Sequence, residues 1–224
     1  PLVSLDTTPG RETFRVVIRK NIYFDFSELQ GDSIESDLNK RDFTINSMAM
    51  SLKTFIKGTR KFIDPHNGKD DVKNKVIRVI SNSAFLDDPL RMLRAFRFMS
   101  VIGFQIEGNT FLKVKKLKSN INKVAPERIF NELKLLLSSK MATPSILSMH
   151  RSGLLKTIFP MLYKNTEAPS SLRILEHLES LILNQKEIRL KPSTKIKKAL
   201  SSQLELIKLA SILYPLQRTS PDKT

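Results

Sequence analysis

Hydrophobic and polar positions change their period near Asp32. Before it, Phe14-Arg15-Val16-Val17-Ile18 and Ile22-Tyr23-Phe24-Asp25-Phe26 are rich in β-branched and aromatic residues, and the polar turn Arg19-Lys20-Asn21 joins them, which predicts two strands. A lone hairpin is marginal in water and its apolar edges invite further strands, so the first strands of this sheet are expected upstream of Pro1. From Ser33 to Leu52 the spacing becomes that of short helix, with Ser33 as cap and Phe43, Ile45, Met48 and Leu52 on the buried side. Phe62-Ile63-Asp64-Pro65 and Val76-Ile77-Arg78-Val79-Ile80 read as brief extended segments. Beyond Ala84 the pattern is helical, over about 88–101, 110–119, 126–138, 143–151, 169–184 and 202–213, with breaks at Gly103, Gly108, Gly153, Pro160 and a polar stretch from Lys191 to Lys198. The fold class expected is α+β, a β-containing first part followed by helices only.

Composition narrows the partner. The chain has 224 residues, 40% of them hydrophobic, enough for one large domain or two small ones. Its formal net charge is +16. A charge so large and so positive suits a polyanion, because each phosphate contact releases counterions. A membrane surface is the competing partner, but no stretch approaches the ~20 apolar residues that a spanning helix needs. RNA is therefore expected and a membrane is not. Cysteine is absent and the first residues lack a charged-then-apolar secretion pattern, which leaves the cytoplasm as the expected compartment.

Candidate chemistry concentrates in Asp87-Asp88-Pro89-Leu90-Arg91-Met92-Leu93-Arg94-Ala95-Phe96-Arg97. Asp88 and Arg91 stand three residues apart on a predicted helix and emerge as neighbours, a carboxylate acceptor beside a fork of donors. Cytosine and adenine each present an exocyclic amino donor next to a ring-nitrogen acceptor, which this pair complements. Guanine and uracil place a carbonyl oxygen where the amino group belongs, and a site built on hydrogen bonds rejects such analogues strongly. Asp88 and Arg91 are thus expected to select C and A. The plainer alternative is that Asp88 caps the helix with Pro89 in its first turn, although Asp87 can cap while Asp88 faces the base. Leu90, Leu93 and Phe96 are expected in the core. Arg94 and Arg97 step around the helix, and reach either triphosphate oxygens or carboxylates across the fold.

In Lys40-Arg41-Asp42-Phe43-Thr44-Ile45-Asn46 and Asp88-Pro-Leu-Arg91 the chain resembles a class II tRNA nucleotidyltransferase, the family of CCA-adding enzymes and bacterial poly(A) polymerases. The first run matches the family's Arg-Arg-Asp-Phe-Thr ribose-reading motif with Lys in the first place, and the second matches its Asp-x-x-Arg base template. Asp64-Pro65-His66-Asn67-Gly68-Lys69-Asp70-Asp71 resembles the hinge between head and neck, with Asn67 where a second glycine is common. Arg94 and Arg97, followed by Gly103-Phe104, resemble the helix that supports the nucleotide pocket, and Glu127-Arg128-Ile129 with Glu132-Leu133 resembles the start of the body. The ordered similarity runs from about residue 14 to 160. It implies a partial nucleotidyltransferase head over 1–64, a helical neck that selects nucleotide and binds RNA over 65–140, and a helical body over 141–224.

The resemblance also implies roles. Arg41 and Asp42 would read ribose and phosphate oxygens, since a carboxylate accepts from a 2′-hydroxyl, the alternative being an ion pair within their loop. Lys40 supplies charge without arginine's fork. Arg91, Arg94 and Arg97 join Arg41, Asp42 and Asp88 as nucleotide-binding candidates. Lys113, Lys115, Lys116 and Lys118 with Arg128, and a second run from Lys186 to Lys198, are expected on the RNA backbone, or are solvated helix faces. Family members carry a Gly-Gly loop and an Asp-x-Asp pair for two magnesium ions. Neither precedes Phe14, where Asp6 and Glu12 are the only acidic residues, so Mg²⁺ ligands are expected upstream of Pro1. Asp25 is the candidate third carboxylate, the alternative being an ordinary exposed strand residue. Leu206 to Leu213 resembles the helix that leads into a His-Asp phosphohydrolase site, but Tyr214-Pro215 replaces the ligands and no metal is expected there.

Three functions follow. One is addition of C and/or A to the 3′ end of tRNA from CTP and ATP. The second is poly(A) addition to RNA, and the third is RNA binding by an inactive relative.

Overall fold

Strand Leu2–Asp6 (β1) pairs antiparallel with Thr13–Arg19 (β2), which pairs antiparallel with Ile22–Ser27 (β3), giving a sheet in the order β1-β2-β3. The computed structural model describes residues 2–6, 12–59, 61–163, 168–183 and 203–214. Two compact units divide the chain, Pro1–Val72 and Lys73–Thr224.

In the first unit, β2 and β3 are the two expected strands, and Asn21 takes a left-handed φ of 68° in the turn between them, a conformation its short polar side chain tolerates. The segment Leu2-Val3-Ser4-Leu5-Asp6 adds a strand that periodicity alone did not single out. Helix Ile34–Asn39 (α1) starts where Ser33 Oγ accepts the Ser36 amide at 3.1 Å. The expected helical span to Leu52 is broken: a 3-10 turn covers Thr44–Asn46, and Leu52–Ile56 (α2) begins anew with Ser51 as its cap. Because α2 has its own phase, Leu52 is 71% exposed and not in the core, whereas Phe43 is fully buried. Ala49 and Ile63 form one antiparallel bridge. Asp64 then caps Gly68–Lys73 (α3), its two oxygens accepting the amides of Gly68 at 2.7 Å and Lys69 at 3.0 Å.

The second unit opens with Val76–Ile77 (β4), paired in parallel with Gln105–Ile106 (β5). Helices follow as Ala84–Asp87 (α4), Leu90–Ile102 (α5), Gly108–Leu117 (α6), Pro126–Leu137 (α7), Thr143–Ser152 (α8), Leu154–Ile158 (α9), Ala168–Leu183 (α10) and Leu204–Leu213 (α11). Gly103 and Gly153 end α5 and α8 with left-handed φ values of 71° and 80°, where glycine avoids the Cβ penalty. Leu90, Leu93 and Phe96 are buried, as their spacing predicts, together with Phe85, Leu136 and Met149. Arg97 meets Glu132, and further along both helices Ser100 meets Leu136, so α5 and α7 lie side by side and run in the same direction.

Candidate functional site

The site-bearing stretch of the second unit begins at the break between α4 and α5. Asp88 stands there in extended backbone, φ −143° and ψ 99°, because Pro89 disfavours helix at the residue before it. Asp88 Oδ1 accepts the Leu90 amide at 3.2 Å, and Oδ2 accepts Nη2 of Arg128 at 3.0 Å. Arg91 sits on the next turn, with Nη1 3.4 Å from the Ala84 carbonyl oxygen. Acceptor and fork therefore stand within one helical turn. Asp87 does not cap α5: it lies in α4 and accepts from Ser83 Oγ at 3.0 Å, so Asp88 itself meets the first amide of α5.

Arg94 and Arg97 face α7. Arg97 Nε donates to Glu132 Oε2 at 2.6 Å, while Arg94 Nη1 lies 3.8 Å from Oε1 of the same carboxylate. Glu132 is buried, and two guanidiniums beside it satisfy the rule that buried charge is paired. The Arg97 guanidinium also lies 4.2 Å from the ring centre of Phe98. Arg97 is thereby fixed as a strut between α5 and α7.

In the first unit Arg41 is held by Asp37, one turn back on α1. Both Nε, at 2.9 Å, and Nη2, at 2.5 Å, donate to Asp37 Oδ2. Asp37 is 1% exposed and also accepts the Gln30 amide at 2.9 Å. Arg41 keeps about half of its side chain in solvent. Asp42 is buried and accepts from the Phe43 amide at 2.9 Å and from Asn46 Nδ2 at 3.0 Å, so the last residue of the motif orients the carboxylate near its start. Arg41 thus forms an ion pair with Asp37. Thr44 Oγ1 donates to Asp71 Oδ2 at 2.6 Å. Asp37 is the residue that motif reading passed over, and Glu132, quoted there only for the start of the body, turns out to hold Arg97. The local signal for Asp37 was its i,i+4 spacing to Arg41.

Asp25 lies opposite Arg15 across the β2–β3 ladder, and the two form a bidentate pair at 2.7 and 2.8 Å. The Arg15 hydrogen bonds hold the Asp25 carboxyl below the usual carboxylate range. Arg15 in turn stacks 3.8 Å above the Tyr23 ring centre. Among the described residues no group of three or more His, Cys, Asp or Glu side chains could hold a metal ion. With both Asp25 oxygens on Arg15, the described residues do not by themselves fit a divalent cation, and no metal ligand is assigned.

Lys115 and Lys116 are exposed on the last turn of α6, and Lys113 is partly buried. Lys118 turns back, its ammonium donating to the Lys115 carbonyl at 2.9 Å, and its stem covers Gly153, where a Cβ would come within 3.0 Å of Lys118 Cε. Lys118 therefore closes the end of α6. The run Lys186 to Lys198 and Pro215 lie outside the described residues. Lys208 of α11 points inward onto Glu179, and Tyr214 follows at its end. Among the described residues no helix is long and apolar enough to cross a membrane.

Comparison with known proteins adds the following. Residues 6–78 match the family model described as the poly A polymerase head domain, and residues 103–165 match the probable RNA and SrmB-binding site of polymerase A. A CC-adding tRNA nucleotidyltransferase from Geobacter sulfurreducens is 36% identical over 168 residues, covering 75% of this chain and 37% of that protein. The chain thus spans well under half the length of this relative. The structure of a CCA-adding enzyme in complex with ATP superposes with a TM-score of 0.73 at 28% identity, over 100% of this chain and 49% of that one. Another, in complex with CTP, superposes with a TM-score of 0.69 at 30% identity, over 89% and 46% of the two chains.

Proposed function

The chain belongs to the class II tRNA nucleotidyltransferase and poly(A) polymerase family, and from that premise we propose that it selects CTP and/or ATP for addition to the 3′ end of tRNA. The observation that carries this reading is the Asp88–Arg91 pair at the head of α5. An acceptor held from two sides stands one turn from a guanidinium, the complement of an amino donor beside a ring nitrogen. A base with a carbonyl at that position would leave a polar group unpaired, which costs about 1–3 kcal/mol.

In the reaction proposed, the tRNA 3′-hydroxyl oxygen bonds to the α-phosphorus of the nucleotide. The bond from that phosphorus to the bridging oxygen breaks, pyrophosphate leaves, and the hydroxyl proton is lost. Asp88 and Arg91 hold the base. Arg41, anchored by Asp37 yet half in solvent, has donors to offer the triphosphate or sugar, and the Asp42 carboxylate would accept from the sugar hydroxyls. Exposed Lys115 and Lys116 would follow RNA phosphates without reading sequence. Mg²⁺ is the ion that the family's chemistry implies. The cytoplasm is the compartment proposed for tRNA processing of this kind.

The test is labelled-nucleotide addition by the full-length protein to tRNA lacking its final three nucleotides. Label from CTP or ATP, in one to three additions and with UTP and GTP refused, is expected. Long tails from ATP alone would make the protein a poly(A) polymerase. RNA binding with no incorporation would make it an inactive relative.

A further inference from the structure

Arg128 is the residue whose placement changes its meaning. Its resemblance-based expectation is RNA, yet its guanidinium reaches back to Asp88, forty positions earlier in the chain, and donates to Oδ2 at 3.0 Å. A carboxylate gripped at one oxygen still turns about its Cβ–Cγ bond. Asp88 is gripped at both, by the first amide of α5 on Oδ1 and by Arg128 on Oδ2, and each oxygen retains acceptor capacity. The helix that launches Arg128 is itself fixed. One turn on, Glu132 holds Arg97 at 2.6 Å, and beyond it the Leu136 carbonyl accepts from Ser100 Oγ at 2.9 Å.

Resting on the nucleotide-selection reading above, we infer that Arg128 is a positioning residue that sets base specificity, holding the Asp88 carboxylate at the angle from which it accepts the exocyclic amino group of cytosine or adenine. A structural purpose alone accounts poorly for the contact. Arg128 keeps 54% of its side chain in solvent, and exposed ion pairs of this kind contribute little to stability. What the pair does fix is direction. A free Asp88 rotates to meet water or a different donor pattern, and the penalty against uracil and guanine falls with it.

The experiment compares full-length wild type, Arg128→Ala, Arg128→Lys, Asp88→Ala and the Asp88→Ala/Arg128→Ala double variant. It reads kcat/KM for CTP against UTP, together with the Kd for tRNA. Arg128→Ala is expected to lower the CTP preference about tenfold while leaving tRNA affinity unchanged. Arg128→Lys should recover part of the loss, since a single donor makes the contact. The double variant should discriminate no worse than Asp88→Ala alone, because Arg128 acts through Asp88. An unchanged preference in Arg128→Ala, strictly additive losses in the double variant, or a loss confined to tRNA affinity would each overturn the inference. If Asp88→Ala itself keeps the full preference, the underlying nucleotide-selection reading fails instead, and the two failures are distinguishable.

Discussion

Gly68 is held to glycine by a neighbour's backbone. A Cβ there would lie 2.2 Å from the Thr44 carbonyl oxygen, which belongs to the motif carrying Arg41 and Asp42. Helix propensity predicts that alanine at this position of α3 would stabilise by up to about 1 kcal/mol, whereas the close approach predicts a loss of about 2 kcal/mol. The close approach should win, since a carbonyl cannot move aside as a flexible side chain can. Denaturant unfolding of Gly68→Ala is expected to show a lower midpoint, and a higher one would mean that the motif loop yields freely. At this scale the sequence was legible where chemistry is local. Asp88 and Arg91 are three residues apart, a spacing visible in the sequence, whereas the extended backbone of Asp88 just before α5 and the reach of Arg91 to the Ala84 carbonyl were not. Arg41 had an equally local partner in Asp37, four residues back, but motif reading looked to Asp42. The contact of Arg128 with Asp88 was not legible, because nothing in either segment encodes which helix packs beside which.

Between α7 and α8 the chain is secured by two side chains from elsewhere. Glu179 of α10 accepts the amides of Ala142 and Thr143, at 2.7 and 3.0 Å, and so caps α8 from outside. Lys208 of α11 donates to Glu179 at 2.5 Å and to the carbonyls of Ser139 and Lys140 at 2.7 and 3.3 Å. The ammonium is fully buried and every donor has a partner. Lys208→Met should cost about 3 kcal/mol, because it strands a buried carboxylate. Burial pushes the Glu179 pKa up, but the Lys208 hydrogen bond and the two amides outweigh it and hold the group below the ordinary glutamate value. A carboxylate with a lowered folded pKa contributes stability above its unfolded pKa, about 4.3, and loses it as pH falls through the folded value. Acid unfolding of Glu179→Gln should therefore be shallower than that of wild type below about pH 4, and identical slopes would contradict the assignment. Long periodic helices such as α5, α7 and α10 were readable from spacing alone. β5, two residues long, exists only through its pairing with β4, and α2 was merged with α1 because a 3-10 turn between them resets the phase.

For the molecule as a whole, charge and motif order point the same way. A net charge of +16 anticipates a polyanion, and residues 6–78 and then 103–165 match the family's head and RNA-binding models. In the function proposed, such a charge would set affinity for RNA without choosing a nucleotide, so selection would come from a few fixed side chains. On that proposal the second unit supplies the frame: Asp88 stands just before α5, Arg91 lies on it, and α7 meets Asp88 through Arg128 and Arg97 of α5 through Glu132. The most direct test is nucleotide discrimination by the full-length protein with both Asp88 and Arg91 replaced by alanine, measured as kcat/KM for all four ribonucleoside triphosphates. Loss of the preference for CTP and ATP over UTP and GTP by about a hundredfold, with tRNA affinity retained, is predicted. Residual turnover with the preference undiminished would contradict the claim that this pair reads the base.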